Sequence, residues 1–417
     1  MPASSPVYAK MKPTLMHIST WVFGVTSLVI SPPLFAFEFS GKGGGEILNF
    51  FQEAKYPEQS DRYPSLFIEP ELYHAFNEHT EIKAKLFYRY DDNSSSRTHA
   101  DIRELMVTHY ADEWEVQAGV GKVFWGTTES RHLVDVVNQV DFIESLDDEA
   151  RLGQAILQAK FIKAWGTLDL MVLPYFRPIQ FGELDIRSRF SPPIAQQDPR
   201  YQSKHKQTQL DFATRWSQRF GDLDLNLSYF SGTQRTPLLQ PIIENGQIRL
   251  RPVYVQSQQF GLDAQYIAGD LLFKAEAIHR DSHQLNRQNQ FSRYQTNALV
   301  AGFEYTLVGI NDTVYDLGII GEYLYDEWEE LTPFQRDWMS GLRWVFNDTQ
   351  STEILIGHII DLDDQSQIWS LEASRRLGDN WRAELIGRWV TNVDPNNYFI
   401  QTYQQDDLIN VKISYYF

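Results

Sequence analysis

The last ten residues, Leu408-Ile-Asn-Val-Lys-Ile-Ser-Tyr-Tyr-Phe417, constrain the fold more than any other stretch of this chain. Ile409, Val411, Ile413, Tyr415 and Phe417 recur at every second position, with Asn410, Lys412, Ser414 and Tyr416 between them. A period of two with one wholly apolar side specifies a β-strand. A soluble protein rarely leaves such a strand at its extreme end, where fraying is the rule.

The other end points the same way. Lys10 and Lys12 are the only charged residues before Glu38, and a mostly apolar stretch from about Leu15 to Ile30 leads into Ser31-Pro-Pro-Leu-Phe-Ala36. This is the layout of a secretory signal cleaved after Ala36. The alternative is a membrane-anchoring helix. Residues 1–36 are therefore expected to be removed and residues 37–417 to form the mature domain.

Composition narrows the class. Without the first 36 residues the chain holds 35 basic and 55 acidic side chains, a net charge of −20, which argues against a nucleic-acid partner. It has no cysteine, hence neither a disulfide framework nor a cysteine metal site. Slightly negative mean hydropathy does not exclude a membrane protein, because a barrel wall needs only every second residue to be apolar.

From residue 37 onward the chain reads as alternating segments of about ten residues, the length of a transmembrane strand. Eighteen can be placed between 37–51 and 408–417, with sixteen as the alternative count. The connections run long, short, long, short. Short ones include 77–80, 111–113, 163–165, 218–221, 268–269, 347–349 and 378–380; the long ones include 52–64, 92–99, 125–152, 177–205, 233–253 and 392–407. Short turns on one side and long loops on the other belong to an antiparallel up-and-down barrel. In 381–389 Trp381, Ala383, Leu385, Gly387 and Trp389 oppose Arg382, Glu384 and Arg388. A charge facing lipid at the midplane costs roughly 2–4 kcal/mol, so the charged face is assigned to the lumen. The faces of 100–111 and 352–361 cannot be assigned from their poor alternation. Residues 238–253, with Glu244-Asn-Gly246, read as a hairpin within an external loop.

Inward-pointing bases follow from this phase: Lys83, Lys85, Arg89, Arg215, Lys274, Arg280, Arg343, Arg376, Arg382, Arg388 and Lys412. Rings of charge select ions in pores; the plainer role is to brace the wall, as Arg382 with Glu384 or Lys274 with Glu276 would. The third long loop is too apolar to float in water, with Leu133, Val134, Val136, Val137, Val140, Phe142 and Ile143. It also carries Arg131, Asp135, Asn138, Asp141, Glu144, Asp147 and Asp148, a candidate constriction. Two chemical readings are weak. His279-Arg-Asp-Ser-His283 lies on a strand end, where consecutive side chains diverge. Asp361, Asp363 and Asp364, like Asp147-Asp-Glu149, lack the spacing of a calcium loop. No catalysis, cofactor or metal is expected.

The terminal strand resembles the last strand of Gram-negative outer-membrane barrels, in which a final Phe is the assembly signal. Trp125-Gly126 followed by Asn138-Gln-Val-Asp141 resembles a segment of porin-type families, including alginate-export-like barrels. The resemblance implies an integral outer-membrane location in contact with lipid and lipopolysaccharide. It also implies recognition of the Phe417 strand by the barrel-assembly machinery. In general porins the third external loop folds into the lumen as the constriction, and this loop has the same ordinal place. The expected function is passive diffusion of small hydrophilic solutes through a loop-constricted pore. The alternatives are an envelope structural, assembly or export-associated barrel with a periplasmic partner, and a hydrolase. A homotrimer is compatible with the pattern, which does not single out the outer face it would bury.

Overall fold

The first strand has two partners: Glu38–Phe50 pairs antiparallel with Arg62–Asn77 on one side and with Leu408–Tyr416 on the other. The sheet therefore closes on itself and presents no edge. The computed structural model describes residues 37–417 except 145–148, 188 and 329–331. Its eighteen wall strands are, in chain order, β1 (Glu38–Phe50), β2 (Arg62–Asn77), β3 (Thr80–Asp91), β4 (His99–Tyr110), β5 (Trp114–Gly121), β6 (Gln154–Lys163), β7 (Gly166–Leu173), β8 (Asp211–Phe220) and β9 (Leu223–Thr233). They continue with β10 (Gln256–Ala268), β11 (Leu271–Leu285), β12 (Phe291–Leu307), β13 (Asp316–Asp326), β14 (Arg336–Val345), β15 (Glu353–Asp361), β16 (Gln367–Leu377), β17 (Trp381–Thr391) and β18 (Leu408–Tyr416). Each pairs antiparallel with its sequence neighbours. The expected eighteen-strand, all-β barrel is what the chain forms.

Closure is what makes such a sheet compatible with lipid, since every ladder N–H and C=O then has a partner. At the closing seam β1 carries Gly41-Lys-Gly-Gly-Gly45. A Cβ on Gly44 would lie 2.0 Å from the Ile413 carbonyl oxygen, so only glycine lets β1 and β18 approach at that register.

The outer face is apolar. Leu86, Tyr88, Leu157, Leu170, Leu227, Phe260, Leu342 and Ile356 are all more than a third exposed, whereas the residues between them turn inward. Trp114, Trp165, Trp344, Trp381 and Tyr415, also exposed, lie near strand ends where interfacial rings belong. The hairpin expected at 238–253 is present as Leu238–Glu244 paired with Gln247–Tyr254 around Asn245-Gly246.

The two strands that could not be assigned have specific reasons. Between β3 and β4 the register steps from Lys85↔Glu104 to Leu86↔Ile102, leaving Arg103 as an extra residue. This bulge puts Ile102 and Leu105, three apart, both on the lipid side, and breaks the period of two. In β15 the inward Leu355 and Ile359 are apolar because they pack against a hydrophobic cluster inside the barrel. That cluster departs from the assignment of charged strand faces to the lumen, since part of the inner wall is apolar. The inner wall contributes Met106, Ile156, Met171, Ala213, Phe230, Ile278, Val300, Ile320 and Met339, and the third loop covers them with Trp125, Leu133, Val134 and Val137.

Candidate pore and its constriction loop

The third loop, residues 122–153, leaves β5 and returns to β6 through a stem joined by backbone bonds from Asp141 N to Ala150 O (2.7 Å) and from Leu152 N to Gln139 O (2.8 Å), with Asn138 tying its root. Asn138 accepts from Val123 N at 2.8 Å and donates to the carbonyls of Gly121 (2.9 Å) and Leu152 (2.8 Å). Within the stem Asp135, fully buried, pairs with Arg151 at 3.0 Å, and burial pushes its carboxyl up to about 6. The loop thus arrives in the lumen as a preformed lobe.

Its tip docks on two carboxylates of the opposite wall. Glu276 on β11 accepts from Thr127 N (2.7 Å), Thr128 N (3.1 Å), Thr128 Oγ1 (2.8 Å) and Val134 N (3.2 Å). Glu322 on β13 accepts from Glu129 N and Ser130 N, both at 2.8 Å, and from Ser130 Oγ at 2.5 Å. Both carboxylates are fully buried. Buried main-chain donors must find acceptors, and here charged wall groups supply them. Arg131 reaches Asp326 of β13 at 2.9 Å, and Glu129 reaches Arg343 of β14 at 2.7 Å. His132 lies between Glu276 (3.7 Å) and Glu149 (3.5 Å); burial opposes its charge, but the two carboxylates prevail and raise it to about 10. The imidazolium is therefore charged at neutral pH. Fully burying Leu133, Val134 and Val137 adds roughly 1.5–3 kcal/mol each. Polar and apolar contacts together hold the segment from Thr127 to Val137 against the inner wall.

The space it leaves lies along β1–β4 and β18. A cavity of about 150 Å³ is lined there by Lys42, Phe67, Glu69, Phe87, Arg89, Arg103, Lys122, Glu144, Ala150, Arg151 and Lys412, six bases against two acids. Arg89 pairs with Glu144 at 2.7 Å and Glu46 at 3.1 Å, and Arg103 with Asp141 at 2.5 Å. Although burial raises it, Glu144 is held below the usual carboxylate range by Arg89, with Arg97 and His99 adding to the effect. Above the cavity the fourth loop, residues 174–210, is tied to its neighbours. Asp185 accepts from Ser95 and Ser96 of the second loop, and Arg187 bonds Asp61 of the first loop (2.8 Å) and Asp406 of the ninth (3.0 Å).

The structure brings together only part of the sequence-derived set. Arg89 and Lys412 line the cavity, and Lys85 reaches its Glu69 at 3.7 Å. Asp141 and Glu144 meet wall arginines directly, while Arg131, Asp135 and Asn138 hold the loop in place. Asp147 and Asp148 lie outside the described residues. Lys83 pairs with Glu104 (3.1 Å), Arg382 with Glu384 (3.9 Å) and Arg388 with Glu372 (2.7 Å). Arg343 sits among Glu129, Glu304 and Glu353, away from the cavity, and Arg376 is exposed on β16 next to the short turn. Lys274 pairs with Glu304 and Glu129, whereas Glu276 is given to the loop.

Lys42, Arg103, Lys122, Arg151 and Glu322 were not singled out from the sequence, and Glu276 was named only as a brace for Lys274. The bulge hid Arg103, and a wall glutamate that docks a loop reads like any inward acid. In the His279–His283 run, Ser282 donates to Gln234, Asp281 pairs with Arg293 and His279 bonds Asn297, so their side chains do not converge. Asp363 pairs with Arg336, and Asp361 and Asp364 accept from nearby backbone amides.

No described protein family and no curated relative matches the chain. Among solved structures it is similar to OccK3 (OpdO) of Pseudomonas aeruginosa, at 9% identity over 91% of this chain and 96% of that one, with a TM-score of 0.50. It is also similar to OpdQ of Pseudomonas aeruginosa, at 11% identity over 91% and 98%, with a TM-score of 0.50. A mutant of a Rh. blastica porin aligns at 10% identity over 92% and 100%, with a TM-score of 0.44. At such identities the likeness to the two Pseudomonas aeruginosa proteins speaks for the fold alone: a closed antiparallel β-barrel like theirs.

Proposed function

We propose that the barrel is a passive diffusion channel for small hydrophilic solutes, narrowed by the loop of residues 122–153. The observation that carries this reading is the docked loop. It crosses the lumen to Glu276 and Glu322, fills the apolar side of an eighteen-strand barrel, and leaves a charged cavity on the other. Barrels of sixteen to eighteen strands enclose an aqueous channel unless something occupies it. Sieving by width and selection by wall charge then need no cofactor and no covalent step. Residues 1–36 serve as the export signal in this reading.

A second reading draws on the same apolar packing: the loops plug the barrel, and a periplasmic partner uses it as a structural or assembly element. Swelling of proteoliposomes separates the two. The channel reading expects fast swelling in isotonic glycine or arabinose and progressively slower swelling in larger sugars. A folded, reconstituted barrel that supports no swelling in any of these solutes contradicts it and favours the plugged barrel.

A further inference from the structure

Two inward-facing carboxylates meet at the long-loop end of the wall without a base of their own. Asp337, the second residue of β14, and Asp361, the last of β15, are direct partners in the ladder. Met339 and Ile359, two positions along each strand, share their face and reach the apolar cluster inside the barrel. Asp337 and Asp361 are both buried, and Oδ2 of Asp337 has no hydrogen-bond partner among the described residues. Asp364, in the loop after β15, adds its field to that of Asp361 on Asp337. The nearby bases are engaged elsewhere. Arg131, whose field also reaches Asp337, is bound to Asp326 at 2.9 Å, and Arg336 lies on the outer face with Asp363 at 2.6 Å. Like charges directly opposite on neighbouring strands repel, and a buried carboxylate without a partner is costly. A positive charge is needed between these two side chains.

We propose that Asp337 and Asp361 hold one divalent cation of the magnesium type, with water completing its shell. One shared proton would neutralise a single charge of the pair; a divalent cation neutralises both. Asp361 is already oriented for the task, because Asp363 N (2.7 Å) and Asp364 N (3.0 Å) fix its Oδ1. Its other oxygen and the unpartnered Oδ2 of Asp337 are the ligands. Among the described residues no three carboxylates or imidazoles converge into a closed cage. Magnesium is usually held by one or two carboxylates and keeps several waters, whereas calcium asks for more protein oxygens than this pair supplies. The run Asp361, Asp363 and Asp364 lacks the spacing of a calcium loop along the chain. The fold brings Asp337 from the neighbouring strand, while Asp363 turns away to Arg336. The cation ties β14 to β15 where their loops begin. It needs no conduction and stands apart from the diffusion reading.

The test uses the purified protein, refolded free of lipopolysaccharide, and its Asp337→Asn, Asp361→Asn and Asp363→Asn variants. Manganese(II), which shares magnesium's preference for oxygen ligands, is the probe, and its free fraction is read by electron paramagnetic resonance. After treatment with EDTA the parent should bind one ion per chain and release it to excess MgCl2. Asp363→Asn should bind like the parent. Asp337→Asn and Asp361→Asn, two isosteric changes on either strand, should each bind at least about tenfold more weakly. MgCl2 should also raise the unfolding temperature of the parent above that in NaCl of equal ionic strength, and leave Asp337→Asn unmoved. A parent that binds no manganese, or Asp337→Asn and Asp361→Asn variants that bind it equally well, overturns the site. A parent indifferent to both ions but stabilised by mild acid, with Asp337→Asn insensitive to pH, would give the neutralising charge to a proton and reject the cation.

Discussion

The double variant Glu276→Gln, Glu322→Gln is expected to release the tip of the third loop and at least double the single-channel conductance. Seven donor contacts from Thr127, Thr128, Glu129, Ser130 and Val134 converge on these two carboxylates. A glutamine amide replaces one charged acceptor oxygen by a donor in each site, turning it toward backbone N–H groups that are themselves donors. Each buried donor left unpaired costs about 1–3 kcal/mol. The Glu276 change also strips His132 of one of its two counter-charges, and breaking a buried ion pair from one side costs about 3–5 kcal/mol. Either single variant leaves the loop held by the other carboxylate and by Leu133, Val134 and Val137. The double variant should therefore exceed the sum of the singles, as expected for contacts sharing one segment. Unit conductance in planar bilayers reads the effect. A double variant that folds and conducts like the parent would show that this loop does not set the width of the passage.

Replacing Gly44 by valine should abolish the folded barrel. Its Cβ would sit 2.0 Å from the Ile413 oxygen and 3.0 Å from the Ser414 Cα, both backbone atoms that cannot rotate away. Opening the β1–β18 seam exposes ladder groups to hydrocarbon, at several kcal/mol each. Gly45→Val is the control. Its Cβ would meet the Leu66 side chain at 3.7 Å, an ordinary contact. On unheated electrophoresis Gly45→Val should run as a compact folded species and Gly44→Val only as the unfolded one. Two folded species would mean that the seam does not depend on close approach at Gly44.

The barrel was legible because its two constraints act on every strand. Lipid demands an apolar residue at alternate positions, and the short-turn side demands abrupt connections such as Gly269 and Gly378, both with positive φ. Boundaries slipped where local pairing extended a ladder. The short connection expected at 218–221 is instead Gly221-Asp222, because β8 runs on to Phe220, where Arg219 pairs with Asp224 across the turn. The site was less legible, since it depends on contacts between residues far apart in sequence. Thr127 and Glu276 are 149 positions apart, and no period announces that one will hold the other. The apolar run from Leu133 to Val137 did show that the loop must be covered. What covers it, the inner wall from Met106 to Met339, became visible only once the strands had closed.

The central claim, a conducting barrel narrowed by its third loop, is tested most directly by single-channel recording of the parent beside a variant lacking residues 125–136. The excision removes Asp135, the partner of Arg151, but leaves the bonds of Asn138 to Val123, Gly121 and Leu152 and the backbone bonds from Asp141 to Ala150 and from Leu152 to Gln139, so the stem should survive it. Discrete ohmic steps from the parent and larger ones from the variant are the expected result. A correctly folded parent that stays silent, or a variant whose steps are no larger, would contradict it.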